Sequence, residues 1–217
     1  MAQIRPIQTA DLEKNPEYYK DTIIHGDMID IARYKNLLNA ISNITLKGYF
    51  LEFGVFQGKT INFVAERISN DQLIYGFDSW QGIPDDWHIS QSLMDPEKSI
   101  MFKKGSWSAN GSLPNVKPNV RLISGLFEES LPNFCQEHFT ENNITSYLHV
   151  DCDLYSSTKT VFDFIGRTLA SGSVIVFDEY HATGHEDRAF KEWLIDSKNT
   201  ATMISTTTSG QCVFIID

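Results

Sequence analysis

Basic residues are scarce in this 217-residue sequence: 18 Lys and Arg stand against 28 Asp and Glu, a formal net charge of −10. A surface that grips phosphate backbones needs clustered positive charge, so no nucleic-acid partner is expected. Cysteine is sparse too. Cys135, Cys152 and Cys212 are odd in number, widely spaced and without a CxxC pair. That excludes a disulfide framework and a zinc site of that type, and it fits reduced thiols. Long apolar runs are missing, and no stretch reaches the roughly 20 residues of a membrane helix. The start, MAQIRPIQTADLEKN, lacks the basic-then-apolar pattern of a signal peptide. Repeats and low-complexity segments are absent. The expectation is a cytoplasmic protein with no membrane partner.

What is present is a globular composition, 41% hydrophobic and 12% aromatic. It is enough for one domain spanning 1–217 with a full core. The spacing predicts a helix over 27–43, with Ile31, Leu38 and Ile41 near one face and Asp27 as N-cap. The first twenty residues read as an extended arm or a short helix, so 1–47 is an N-terminal helical arm.

From Tyr49 the pattern alternates. Short apolar strands are expected at 49–54, 73–77, 119–124, 146–150 and 173–177, with helices over 58–69, 156–169 and 186–196. The tail, TMISTTTSGQCVFIID, reads as two strands joined at Ser209-Gly210. This predicts an α/β fold: a doubly wound, mostly parallel seven-stranded sheet with a C-terminal antiparallel hairpin. Each of the five strands stops at an acid or a glycine. In such sheets ligands sit at the carboxyl ends of the strands, so the chemistry gathers at one edge. Residues 79–118 form an unusually long connection with three tryptophans, Trp80, Trp87 and Trp107, read as a cofactor wall and substrate lid.

LEFGVFQGKT is a strand, a glycine-bearing turn and a helix start. Gly54 and Gly58 allow a tight turn close to a ligand, and the N–H groups near Lys59 and Thr60 suit a carboxylate. Asp78 ends the next strand, where an acid can hold ribose hydroxyls. NAD requires a small residue where Phe56 stands, and Glu52 repels a pyrophosphate. S-adenosylmethionine (SAM), with an ammonium and a sulfonium, fits that charge pattern better.

Four acids carry the most information. HVDCDLYSST supplies Asp151 and Asp153, two apart and therefore able to face one site; VIVFDEY supplies Asp178 and Glu179. Carboxylates this close raise one another's pKa, and a cation relieves the repulsion. An all-oxygen set suits a hard ion such as Mg2+ or Ca2+. Such an ion lowers the pKa of a hydroxyl, and a spare carboxylate accepts the proton. The plainer alternative is helix capping, with Asp153 serving the helix that starts near Ser156. His181 and His185, four apart, are a weaker transition-metal pair with no third soft ligand.

Together these segments resemble the macrocin O-methyltransferase family, the metal-dependent sugar O-methyltransferases of macrolide and aminocoumarin biosynthesis. LEFGVFQGKT is similar to its first SAM motif, and GFDSWQGIPDDW to GFDSFxGLP. GLFEESLP, HVDCDLYSST and VIVFDEY resemble three more of its motifs, in the same order. The resemblance implies a Rossmann-like class I methyltransferase acting on a hydroxyl of a small molecule, possibly glycosylated. It implies that Asp151, Asp178 and Glu179 hold Mg2+, that Asp153 is the base, and that Glu52, Gly54, Thr60, Asp78, Ser79, Gly125 and Phe127 surround SAM. Glu179 departs from the commoner aspartate. A non-methylating, hydroxylase-like relative and a SAM- or nucleotide-binding module without catalysis are the rival readings. The acceptor's identity and any homo-oligomer are not legible.

Overall fold

The structure is a computed structural model that describes residues 28–89, 100–181 and 184–217. Nine strands are present among these residues: β1 (Tyr49–Phe53), β2 (Ile74–Asp78), β3 (Trp87–Ile89), β4 (Ile100–Phe102), β5 (Val120–Ser124), β6 (Thr145–Val150), β7 (Val174–Phe177), β8 (Ala201–Thr206) and β9 (Cys212–Ile216). The helices are α1 (Met28–Ser42), α2 (Lys59–Ala65), α3 (Phe127–His138), α4 (Tyr155–Ile165) and α5 (Glu186–Ser197), with a 3-10 turn over Gly166–Thr168.

Seven strands form one sheet in the order β5-β2-β1-β6-β7-β9-β8. The first five are parallel; β9 runs antiparallel between β7 and β8. The expected doubly wound sheet with its antiparallel C-terminal pair is therefore what forms. Period-2 alternation splits the core into two layers. Leu51, Phe53, Leu148, Val150, Ile175 and Phe177 pack with Leu131, Phe162 and Phe190 of α3, α4 and α5. Phe50, Tyr147, Val174 and Val176 pack with Tyr34, Leu37 and Ile41 of α1 and Ile61 and Val64 of α2. Burying one such large apolar side chain stabilises the fold by about 1.5–3 kcal/mol.

Several details depart from the sequence expectation. On α1 the buried face carries Tyr34, Leu37 and Ile41, while Leu38 is half-buried. The proposed N-cap Asp27 and the first twenty residues lie outside the described residues. The helix expected over 58–69 is regular only to Ala65. Helix α3 was not expected, because Pro132 sits inside it and proline in a helical stretch reads as a stop. Inside 79–118, β3 and β4 pair antiparallel as a small sheet of their own.

Candidate functional site

Register sets the site. Phe53 pairs with Phe77 and Val150, and Val150 with Phe177, so these strands end level with one another. Hydrogen bonding runs one residue further. Gly54 N–H donates to Phe77 O, Asp151 N–H to Phe53 O, Asp178 N–H to Val150 O and Gly125 N–H to Asp78 O, at 2.9–3.1 Å. Gly54, Asp78, Gly125, Asp151 and Asp178 thus line one sheet edge, across the point where strand order reverses between β1 and β6.

A cavity of about 690 Å³ opens there. Gly54, Thr60, Asp78, Ser79, Gly125 and Phe127 line one part of it, and Asp151, Asp153, Glu179 and Arg33 another. Gly54 has φ 91°, and a Cβ on it would lie 1.8 Å from the Asp151 carbonyl oxygen. The glycine is required by the neighbouring acid-bearing turn, where the sequence suggested ligand approach. Gly58, φ 77°, lies at the start of α2 with no side-chain cap. Asp78 organises the turn: its Oδ2 accepts from the N–H of Val55 and Phe56 at 2.9 and 2.7 Å, and its Oδ1 from that of Trp80 at 2.7 Å.

Glu52 lies elsewhere. It is fully buried and does not line the cavity. Its Oε1 accepts from Thr60 Oγ1 at 2.7 Å, and its Oε2 is 3.0 Å from His149 Nδ1. The place beside SAM that the resemblance implied for Glu52 is not the one it takes here, because both oxygens face protein partners.

The acids converge as β6 and β7 dictate, with company the sequence did not reveal. Arg33 of α1 pairs with Asp178 Oδ2, and Gln211 Nε2 donates to Asp178 Oδ1. Burial works to raise the Asp178 pKa, but Arg33 and the surrounding hydrogen bonds hold it below the usual value. Burial, then Asp178, pushes Asp151 and Glu179 well up, and raises Asp153 to about 7. Burial lowers the Arg33 pKa, but Asp178, Asp151 and Glu179 outweigh it and leave the guanidinium firmly charged. A fifth acid, Glu186, is fully buried at the start of α5. Its two oxygens accept from the N–H of Cys152 at 3.3 Å and of Glu179 at 3.0 Å, so it ties the two acid-bearing turns together. The sequence places it only within the helix expected over 186–196.

Ligand atoms gather in two groups that share Asp151. One is Asp151, Asp153 and Glu179; the other is His149, Asp151 and Asp178. In each the atoms lie within 4.8 Å of one another. Glu179 Oε2 is buried without a partner, so the all-oxygen group has an acceptor to spare for a hard cation. The two groups divide the trio that the family resemblance implied, since Asp178 is turned to Arg33 and Gln211. Helix capping does not use Asp153: α4 has no side-chain cap at Leu154, and His185 Nδ1 accepts the Tyr155 N–H at 2.9 Å. That occupies a nitrogen of His185, and neither it nor His181 joins a metal-type cluster among the described residues.

The third wall is aromatic. Trp87, Phe102 and Trp107 have ring centroids 4.6–5.9 Å apart and line the cavity beside Ile83 and Pro84. Trp80 belongs to the core instead, with its Nε1 donating to Phe56 O at 3.1 Å.

Comparison with known proteins gives a consistent picture. The family described as macrocin O-methyltransferase (TylF) matches residues 20–214. No curated protein matches in sequence. The structure of CalS11, a calicheamicin methyltransferase, superposes with a TM-score of 0.66 at 20% identity, covering 97% of this chain and 86% of that one. The O-methyltransferase NovP gives 0.62 at 18% identity, covering 85% and 79%. TomG from Streptomyces achromogenes, an O-methyltransferase solved with SAM, gives 0.52 at 17%, covering 99% and 90%. These likenesses show a common fold.

Proposed function

Because the chain belongs to the macrocin O-methyltransferase (TylF) family, and so is an O-methyltransferase, we propose that it takes its methyl group from SAM and delivers it to a hydroxyl of a sugar or glycosylated small molecule. The observation that carries this reading is the single cavity, which joins the glycine turn and Asp78 to the acid cluster. In this reading Gly54, Thr60, Asp78, Ser79, Gly125 and Phe127 surround the cofactor, while Gly58, which does not line the cavity, shapes the turn behind them. Glu52 acts from behind them, fixing Thr60 and His149. The aromatic wall of Trp87, Phe102 and Trp107 receives the acceptor.

Asp153 takes the proton of the attacking hydroxyl. Its carboxylate lines the cavity, is not spent on capping, and has a pKa raised to about 7, close to what a general base needs near neutrality. Asp151, Glu179 and Asp178 are the residues to hold a hard divalent cation such as Mg2+. When bound, the cation lowers the hydroxyl's pKa and orients it. Arg33 keeps Asp178 ionised, so a full carboxylate is available there.

The test is ligand-induced stabilisation followed by turnover. S-adenosylhomocysteine should raise the melting temperature, because a ligand of the native state stabilises it by mass action. NAD should not. Equal shifts from both would remove the SAM reading, and activity untouched by EDTA would remove the metal.

A further inference from the structure

His149 occupies the middle of a face shared by three strands. β6 lies between β1 and β7. Glu52 is in register with His149 on one side and Val176 on the other. Residues two apart share a face, so Asp151 and Asp178 stand on the same side as His149, one step nearer the site. His149 and Glu52 are both fully buried. The ring's Nδ1 is held by Glu52 Oε2 at 3.0 Å, while Nε2 is buried with no partner. A ring nitrogen of His149 and carboxylate oxygens of Asp151 and Asp178 lie within 4.8 Å of one another.

An orphaned imidazole nitrogen beside two carboxylates needs a reason, since leaving it unpaired is costly. Glu52 supplies one. A carboxylate on Nδ1 keeps the proton there and turns the Nε2 lone pair outward, the outer-shell arrangement usual for metal-binding histidines. Nδ1 faces β1, so Nε2 is left to the β7 side, where Asp178 stands. We infer that His149 is a nitrogen ligand, completing with Asp151 and Asp178 a mixed nitrogen–oxygen site for a divalent transition ion. The inference rests on the reading that a metal works at this cluster, and changes which ion it favours. Oxygen ligands alone suit Mg2+ or Ca2+, whereas imidazole adds affinity for first-row transition ions. Mn2+, at home with carboxylates as well, is the probe of choice. A bound ion would compete with Arg33 for the Asp178 carboxylate, which Gln211 also hydrogen-bonds.

Pulsed electron paramagnetic resonance of the full chain with Mn2+ decides the matter. The expected spectrum carries modulation from a directly bound nitrogen. His149→Gln abolishes that modulation, and Glu52→Gln weakens Mn2+ binding by about 10–100-fold, the usual loss when a ligand's outer partner is removed. Mg2+ displaces Mn2+ only in large excess. A melting-temperature shift with S-adenosylhomocysteine reports whether each variant is folded, and the wild-type spectrum decides even where a variant is not. Mn2+ bound without nitrogen modulation overturns the inference and leaves the all-oxygen group as the metal site. No Mn2+ binding overturns the inference and the metal reading together.

Discussion

Asp153 holds its backbone in the left-handed region, φ 61°, which aspartate adopts more readily than most residues with a side chain. That turn of the backbone places a half-buried side chain at the cavity. Asp153→Asn keeps the shape and removes the base. Turnover should fall by about 10²–10⁴, while S-adenosylhomocysteine still binds. Full activity of the variant on its true acceptor would return Asp153 to a structural role. The wild-type rate should rise with pH as Asp153 loses its proton and then level off, since only the carboxylate accepts a proton. The stability effect has the opposite sense. A carboxyl with a folded pKa above its unfolded value binds more protons when folded, so its contribution falls as pH rises from about 4 through 7. Metal-free Asp153→Asn should therefore melt higher than wild type at pH 8, by roughly 2–4 °C for each kcal/mol relieved. The four acids are legible in the sequence because each follows an apolar strand. Their partners are not: Arg33 lies 145 residues from Asp178, and no local spacing foretells that pairing. His149 was within reach of the same two-residue rule that joined Asp151 to Asp153.

Elements deliver these residues, and two of them invite direct tests. Helix α1 seats Arg33 on the acid cluster from the sheet face that also carries His149. Arg33→Gln should cost about 1–3 kcal/mol, the range for a hydrogen bond to a charged group, seen as a lower melting temperature without metal. The loss should shrink when a divalent cation is added, because the cation then neutralises Asp178; an equal loss with and without metal would contradict this. The turn after β1 is the second case. Gly54→Ala drives a methyl into the Asp151 carbonyl at a φ of 91°. It should destabilise the fold by roughly 2–4 kcal/mol and disturb the cofactor and acid ends of the site at once. A variant with unchanged melting temperature would show that this turn yields easily. Strands were the readable elements, since continuous apolar runs ending in Gly or Asp leave few alternatives. The 12-residue helix α3 was hidden by Pro132. The three-residue strands β3 and β4 are too short to show a period.

At the scale of the whole molecule the site draws on nearly the entire chain, from Arg33 on α1 to Gln211 beside β9. Among the described residues no helix is long and apolar enough to cross a membrane. With SAM as the cofactor, its demethylated product would span the turns after β1, β2 and β5, which line one cavity. Saturating S-adenosylhomocysteine at about 100 times its Kd should then stabilise by about 2.7 kcal/mol. The shift should be lost in Asp78→Ala, since Asp78 holds the β1 turn through Val55 and Phe56. A shift of wild-type size in that variant would count against Asp78. The sheet order has a further result, for synthesis on the ribosome. β9 emerges after β8 yet inserts between β8 and β7, so until Cys212–Ile216 is made β8 has no sheet partner and β7 has only β6. Through that interval β7 presents a bare, wholly apolar edge, VIVF, of the kind that recruits other chains. Asp178, at the end of that edge, still lacks Gln211. A nascent chain halted before Cys212 should accordingly be a chaperone client, and catalytic competence should arrive together with protection from aggregation.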